Sequence, residues 1–515
     1  MDGRASVVGW GTWMAMGICL LLGLPVQARY GGGSGTADDP YLIATAEQMD
    51  AIGLNPDDWD KHFKLAADLD MKGSAGSTFH PVVLFSGVFD GDGHTIANLT
   101  LAITGAEDAS GGDAIVGMGL FGSIQGAEAV VENLGLVHPE VRPALQCPQR
   151  LWCVGALAGR VWSGSIRNCY VEGGQAQGER WVGGLVGSNA GTLSDCHANC
   201  VVQPGPQRPL PTAPGNLGKR ESFGGLAGDT YGDISNCWSA GNVSGDYDVG
   251  GLVGQCRRPA KISHCHAKAD VTGQTCVGGL VGVCSKMCSI TDCFAAGSVT
   301  AMRQAGGLVG GLEGDVSRCY SAGAVSAVSD SVGGLVGLNG GMISASWAGG
   351  NVLGGDTVGG LVGFNWKEDR FLFYDPVVKD CYAQGNVQGK NVVAGLVGSN
   401  QQGAVMRCYS TGQVRGETKD SLVSGLVCTS DPAFVKDSFW DIETSGLGTS
   451  DGGTGRTTAE MQDVSMYLGA GWDFTGESYN GTEDLWEMSG GGPMYPKLAW
   501  EQMFEAEVIP TDVQP

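Results

Sequence analysis

A nine-residue phrase returns along this chain: WVGGLVGSN at 181, DVGGLVGQC at 248, CVGGLVGVC at 276, SVGGLVGLN at 331 and TVGGLVGFN at 357. Internal repetition constrains a fold more than any composition does, because each unit must bury its apolar side against its neighbours. The leucines of the Gly-Leu step mark the register: Leu157, Leu185, Leu226, Leu252, Leu280, Leu308, Leu335, Leu361, Leu396 and Leu426. Their separations are 28, 41, 26, 28, 28, 27, 26, 35 and 30, a unit of about 27 residues with two insertions. A divergent copy surrounds Leu120 in MGLFGSI.

A second block follows most marker leucines by eleven to thirteen residues, as in SIRNCYVEG, DISNCWSAG, SITDCFAAG and AVMRCYSTG. An apolar residue such as Ile166, Ile234 or Ile290 stands three before its Cys, and an aromatic or His usually follows it. A short Val stretch closes the unit, GNVSG at 241 and GNVQG at 385. Two or three short β-like runs between Gly, Asn and Asp turns cannot make a private core. Stacked at the ~4.8 Å strand spacing they can, so the spacing predicts an all-β fold, a parallel β-solenoid (β-helix) of ten or eleven coils and roughly 50 Å. No i, i+3, i+4 stripe supports a helical repeat, and a propeller blade normally takes ~40 residues or more.

The repeated phrase is therefore a structural unit. Paired glycines such as Gly183-Gly184 and Gly359-Gly360 are expected to supply backbone conformations closed to other residues at a coil corner. No GxxxxGK[ST] accompanies them, so they do not cradle phosphate. Cys169, Cys196, Cys237, Cys265, Cys293, Cys319, Cys381 and Cys408 share one repeat position, where Ser346 and Ser438 substitute. They are expected as a buried column of free thiols. Among the remaining cysteines, Cys256 and Cys284 each lie four residues after a marker leucine and form the best disulfide pair.

Fifty-four acidic against 30 basic residues give a net charge of −24. Such a chain repels nucleic acid and anionic membrane surfaces, and a nucleic-acid partner is excluded. Residues 1–28 read as a secretory signal: Arg4, the apolar WMAMGICLLLGL, and VQA ending at Ala28. The apolar core is short for a bilayer span, and no later segment offers one, so the mature chain is expected to have no transmembrane span.

Chemistry is sparse. The soft ligands Cys256, His264, Cys265, His266, Cys276, Cys284 and Cys288 lack CxxC or HxxxH spacing, so no metal site is expected. There is no HExxH or P-loop motif and no nucleophile elbow is recognised, and no catalytic residue is assigned. Asp90 and Asp92 in FDGDGHTI read as a tight turn; a calcium site is the alternative, though the nonapeptide calcium repeat is missing, and otherwise no cofactor is expected. Dispersed carboxylates of a β-helix lyase or glycosidase would leave no linear signature.

Thr45 and Gln48 stand at capping-box spacing before one short helix, and Thr457 and Glu460 before another that ends at Gly469; both are expected to cap the open ends of the stack. The 41-residue interval holds a proline-rich loop at 201–222. The 35-residue interval holds FNWKEDRFLFYDP, whose Trp366, Phe371, Phe373 and Tyr374 are the candidate ligand-binding residues. The chain divides into a signal at 1–28, an N-terminal cap with first coils at 29–115, the repeat solenoid at 116–440, and a C-terminal cap and tail at 441–515.

The phrases VGGLVGxN and xIxxCYAxG resemble the GLUG motif of bacterial exported and surface proteins, and the flanks GTADDPYLIATAEQM, SFWDIETSG and GGTGRTTAEMQ are similar to those of exported GLUG-repeat proteins. The resemblance covers roughly 116–440. It implies a solenoid found beside IgA-specific metallopeptidases and in large adhesin-like proteins; the peptidase domain itself is absent here. The expectation is a noncatalytic cell-surface or extracellular scaffold or adhesion module whose partner is an extracellular polysaccharide or a surface protein. Periplasmic residence is the other possible location. The rival is a carbohydrate-active β-helix enzyme, a polysaccharide lyase or glycoside hydrolase.

Overall fold

The computed structural model describes residues 29–74, 79–103, 117–143, 152–206, 220–367, 375–428, 434–488 and 494–502. The expected secretory segment, 1–28, lies outside them.

The chain winds as a parallel β-solenoid of three long sheets. One coil shows the pattern. Val281–Cys284 lies in an eleven-stranded sheet, Ser289–Thr291 in a fourteen-stranded sheet, and Phe294–Ala295 and Val299–Gly306 in a third sheet, before Leu308 begins the next turn. Ile290 is buried between two partly exposed neighbours, the period-2 alternation of a one-faced strand. Coil on coil, Ile234, Ile262, Ile290, Val316 and Ile343 pair in register and are fully buried.

The marker leucines form a hydrogen-bonded column. Leu280 N–H donates to the Leu308 carbonyl at 2.9 Å, Leu308 to Leu335 at 2.8 Å and Leu335 to Leu361 at 2.8 Å. All ten side chains are buried. Fourteen strands in the longest sheet make a rod of about 60 Å. Three coils thus precede the eleven counted from the repeats, with strands Tyr41–Ile43, His62–Leu65 and Val88–Asp90. They lack the Gly-Leu phrase because rings fill their interior: Phe63, Phe85, Phe89 and Phe121 are buried in mutual contact.

The glycines act differently from the expectation. Gly359 and Gly360 do not have left-handed φ. They are required by close approach: a Cβ on Gly359 would stand 2.0 Å from the Val362 carbonyl oxygen, and one on Gly360 2.1 Å from that of Gly395 in the next coil. One left-handed corner is the residue before the cysteine column, and a second, at Trp181, Asp248 and Cys276, precedes the repeated phrase. Asn168, Asp195, Asn236, His264, Asp292, Arg318, Ala345, Asp380, Arg407 and Asp437 all have φ between 44° and 56°. Asn and Asp tolerate that region best, which explains the recurring Asn-Cys and Asp-Cys steps.

All fifteen described cysteines are free thiols, including Cys256 and Cys284, so the expected disulfide is not present. Column thiols do backbone work. Cys237 Sγ donates to the Ser235 carbonyl at 3.1 Å and accepts the Cys196 N–H at 3.4 Å. Ser346 repeats this with bonds of 2.7 and 3.1 Å, which is why serine replaces cysteine there. Burial pushes the Cys237 and Cys293 thiols well above their usual range. The asparagine of VGxN forms an interior amide ladder, Asn339 to Asn365 and Asn365 to Asn400 at 2.7 Å each, with all three side chains fully buried.

Thr45 caps helix Ala46–Gly53. Thr457 and Glu460 make a complete capping box, but the helix stops at Met461, and Asp463 caps a separate helix, Val464–Gly469. Part of the C-terminal segment lies on the last coil, where the Gly425 N–H donates to the Thr449 carbonyl at 3.0 Å and the Leu426 N–H to the Ser450 hydroxyl oxygen at 3.2 Å. The segment's Tyr467, Trp472, Phe474, Trp486 and Leu498 build a second small core against Tyr382, Tyr409 and Phe439, along the side of the rod. Among the described residues no helix is long and apolar enough to cross a membrane.

Candidate functional site

The residue after each column cysteine faces outward, and in-register stacking turns these residues into a ladder. Tyr170, His197, Trp238, His266, Phe294, Tyr320, Trp347, Tyr382 and Tyr409 lie ring on ring, with centroids 4.2–6.1 Å apart and interplanar angles of 1–9°. Strand spacing near 4.8 Å places successive rings at stacking distance without further adjustment. The ring faces are consumed by one another, which leaves edges toward solvent. Burial lowers the His266 imidazole to about 4 and also lowers His197, keeping both neutral in the stack. The far end is covered: Trp500 approaches Tyr320 at 6.4 Å, the Tyr382 hydroxyl donates to Glu501 at 2.9 Å, and the Tyr409 hydroxyl donates to the Pro496 carbonyl at 2.5 Å. The ladder is a spine and a docking surface for the chain's own C-terminal segment.

Four coils farther along the same sheet form an open groove of about 430 Å³. The closing Val stretches build it. Val325, Val352, Val387 and Val414 point inward and are buried, while their neighbours point out. Asn351, Asn386 and Gln413 line one side, and Ser326, Leu353, Gln388 and Arg415 the other. The backbone N–H of Asn386 donates to Asn351 Oδ1, and that of Gln413 to Asn386 Oδ1, each at 3.0 Å. Each asparagine oxygen is thus committed to the next coil, and the side-chain NH₂ remains as a donor. The lining offers amides, one guanidinium and one exposed leucine, with no carboxylate or imidazole to move a proton.

A model of the GLUG motif matches residues 151–175 and 273–300. The chain thus carries GLUG motifs in its repeats. Halomucin of Haloquadratum walsbyi is 31% identical over 255 residues, 43% of this chain and 3% of halomucin. A protein of Evansella cellulosilytica, provisionally described as a Gly-rich membrane protein, is 30% identical over 181 residues, 31% of this chain and 19% of that one. The GLUG chain therefore spans a small fraction of both relatives' length. A provisionally assigned immunoglobulin A1 protease from Bacteroides ovatus overlays 92% of this chain and 96% of its own at 18% identity, with a TM-score of 0.30. At that score the overlay carries no argument.

Of the sequence-predicted aromatics, Trp366 is described and does not line the groove. Trp366 ends strand Val362–Trp366 in the eleven-stranded sheet, 36% exposed, with Phe364 at 6.3 Å. Phe371, Phe373 and Tyr374 lie outside the described residues. Asp90 and Asp92 make the expected turn: the Asp92 N–H donates to Asp90 Oδ1 at 2.9 Å, and Asp92 pairs with Lys64 at 3.0 Å. Among the described residues, no group of three or more His, Cys, Asp or Glu is arranged to hold a metal ion. Asp229 lies 3.1 Å from Arg257 Nε and is 1% exposed. The sequence does carry a signal for the groove, a Val-centred triplet at one repeat position: Ala-Val-Ser at 324, Asn-Val-Leu at 351, Asn-Val-Gln at 386 and Gln-Val-Arg at 413.

Proposed function

We propose that this GLUG solenoid is an exported, noncatalytic scaffold or adhesion module at the cell surface or in its surroundings, and that the groove across Val325, Val352, Val387 and Val414 holds a short run of neutral polysaccharide. The observation that carries the reading is the lining: side-chain NH₂ groups and a guanidinium to bond hydroxyls, Leu353 for an apolar ring face, and no proton-transfer pair. About 14 Å of groove along the axis, three strand spacings, suits a few sugar residues. The secretory reading of residues 1–28 and the printed description of the Evansella relative as a membrane protein support a surface location.

The test is a glycan-array screen of the chain from Arg29 onward, beside a reducing-sugar release assay on the same polysaccharides. Binding without release is expected. Gln388→Ala combined with Arg415→Ala, both exposed, should weaken binding by about tenfold or more, the scale of one lost net interaction of ~1.4 kcal/mol. Sugar release by the purified chain sinks the noncatalytic reading. Unchanged binding in the double variant moves the site off the groove.

A further inference from the structure

Three thiols outside the column meet at one corner of the rod. Cys256 ends strand Val253–Cys256 and Cys284 ends Val281–Cys284, and the two are register partners in adjacent coils. Cys288 closes the turn that follows, its N–H donating to the Ser285 carbonyl at 3.2 Å, while the Ser285 N–H donates to the Cys256 carbonyl at 2.9 Å. All three side chains are at most 1% exposed, and each thiol interacts with the other two.

This corner differs from the cysteine column. Column thiols repeat one position from coil to coil, point the same way and are tied to backbone carbonyls two residues back. Cys256 and Cys284 share that parallel relation, which disfavours a bond between them. Cys288 does not share it. It stands opposite Ala260 in the neighbouring coil, since the Ser289 N–H donates to the Ala260 carbonyl and Lys261 pairs with Ser289. Its sulfur therefore meets that of Cys256 across the turn between two sheets. The turn reaches the surface at Met287, which is 73% exposed.

We propose that Cys256 and Cys288 form the oxidisable pair of this protein, a disulfide that joins two adjacent coils, with Cys284 as a third thiol able to exchange into it. The two thiols give up two protons and two electrons as the sulfur–sulfur bond forms. The electrons pass to an external disulfide, that of a small molecule or of a thiol–disulfide oxidoreductase, which is cleaved to two thiols. Hydrogen bonds from the Cys256 and Cys284 thiols hold the Cys288 thiol well below its usual range, so Cys288 is the attacking thiolate. Export brings such a chain into compartments where disulfides persist.

The experiment incubates the full chain with oxidised glutathione, blocks remaining thiols with N-ethylmaleimide in denaturant, and maps tryptic peptides by mass spectrometry without reduction. Cys256 falls in peptide 221–257, Cys284 in 269–286 and Cys288 in 287–303. A link between 221–257 and 287–303 is expected, placed by fragmentation on Cys256 and Cys288 rather than Cys237 and Cys293. Cys284→Ser should keep it and Cys288→Ser should abolish it. If Cys288→Ser fails to fold, the map of the unsubstituted chain and of Cys284→Ser still decides. No link, a link from 221–257 to 269–286, or links through column cysteines would each overturn the proposal.

Discussion

Tyr409 tests how the C-terminal segment is held to the rod. Its ring is fully buried, 4.9 Å from Tyr382 and within 6.1–6.4 Å of Trp486, Tyr495 and Trp472. Its hydroxyl donates to the Pro496 carbonyl. Tyr409→Phe keeps the stack and leaves that buried carbonyl without its donor, at a cost of about 1–3 kcal/mol. Tyr409→Ala also removes the ring and should cost about 3–5 kcal/mol. In a solenoid each coil contacts its neighbours only, so the loss should fall on the docked segment before it reaches distant coils. Hydrogen exchange followed by mass spectrometry reads this directly. In Tyr409→Phe, peptides from 457–488 should exchange about 5- to 150-fold faster, the same energy expressed as an opening constant, while those from 226–361 stay unchanged. Equal acceleration in both regions, or none in 457–488, would refute the account of a separately docked segment.

Five further substitutions probe the structure. Gly360→Ala should lower the thermal midpoint sharply, because its Cβ would stand 2.1 Å from a backbone oxygen, whereas Gly448→Ala, with open space and no left-handed φ, should leave the circular dichroism melt unchanged. His266 carries a folded-state pKa of about 4 against an unfolded value near 6.5, so neutral His266 supports the fold above about pH 6.5 and that support is lost as pH falls toward 4. Urea midpoints at neutral pH and at about pH 4.5 should differ less in His266→Phe, which stacks without titrating. Arg407 grips Asp380 with bonds of 2.6 and 2.7 Å, and Asp380 is 2% exposed; Arg407→Met should cost about 3–5 kcal/mol in urea unfolding by stranding that charge. Arg303→Met breaks a bridge in which the arginine is 61% exposed and should cost about 1 kcal/mol or less.

The repeat made the rod legible because stacking turns a sequence period into a column. Leu280, Leu308 and Leu335 bond in series as their spacing requires, and Cys237 and Ser346 occupy one buried position as their alignment requires. The role of Gly359 and Gly360 was harder to read. A glycine chosen for left-handed φ and one chosen for close approach look identical in a sequence, and only the coil packing separates them. The side docking of Trp472, Trp486 and Trp500 carries no periodic signal at all, since that segment occurs once. The same holds for the meeting of Cys288 with Cys256, since the equivalent turn of the preceding coil carries Ala260 where this one carries a cysteine. Trp366 stands out in the sequence for its aromatic insertion, while the groove arises from ordinary-looking Val triplets that shape it only when their coils stack.

The stacking rule also decides which aromatic residues can serve a ligand. A sugar needs an exposed ring face, and in-register stacking spends both faces of every inner ring on its neighbours. His197, Trp238 and His266 are therefore poor sugar platforms despite lying in a row on the outside of the rod. A position that repeats with side chains unable to stack tightly keeps its hydrogen-bonding groups available instead. Asn351 and Asn386 do so because their side-chain oxygens are taken by the backbone of the next coil, which leaves their NH₂ groups as donors. In this architecture the largest rings stiffen the rod, and the groups left over for recognition are the small polar ones beside the inward valines.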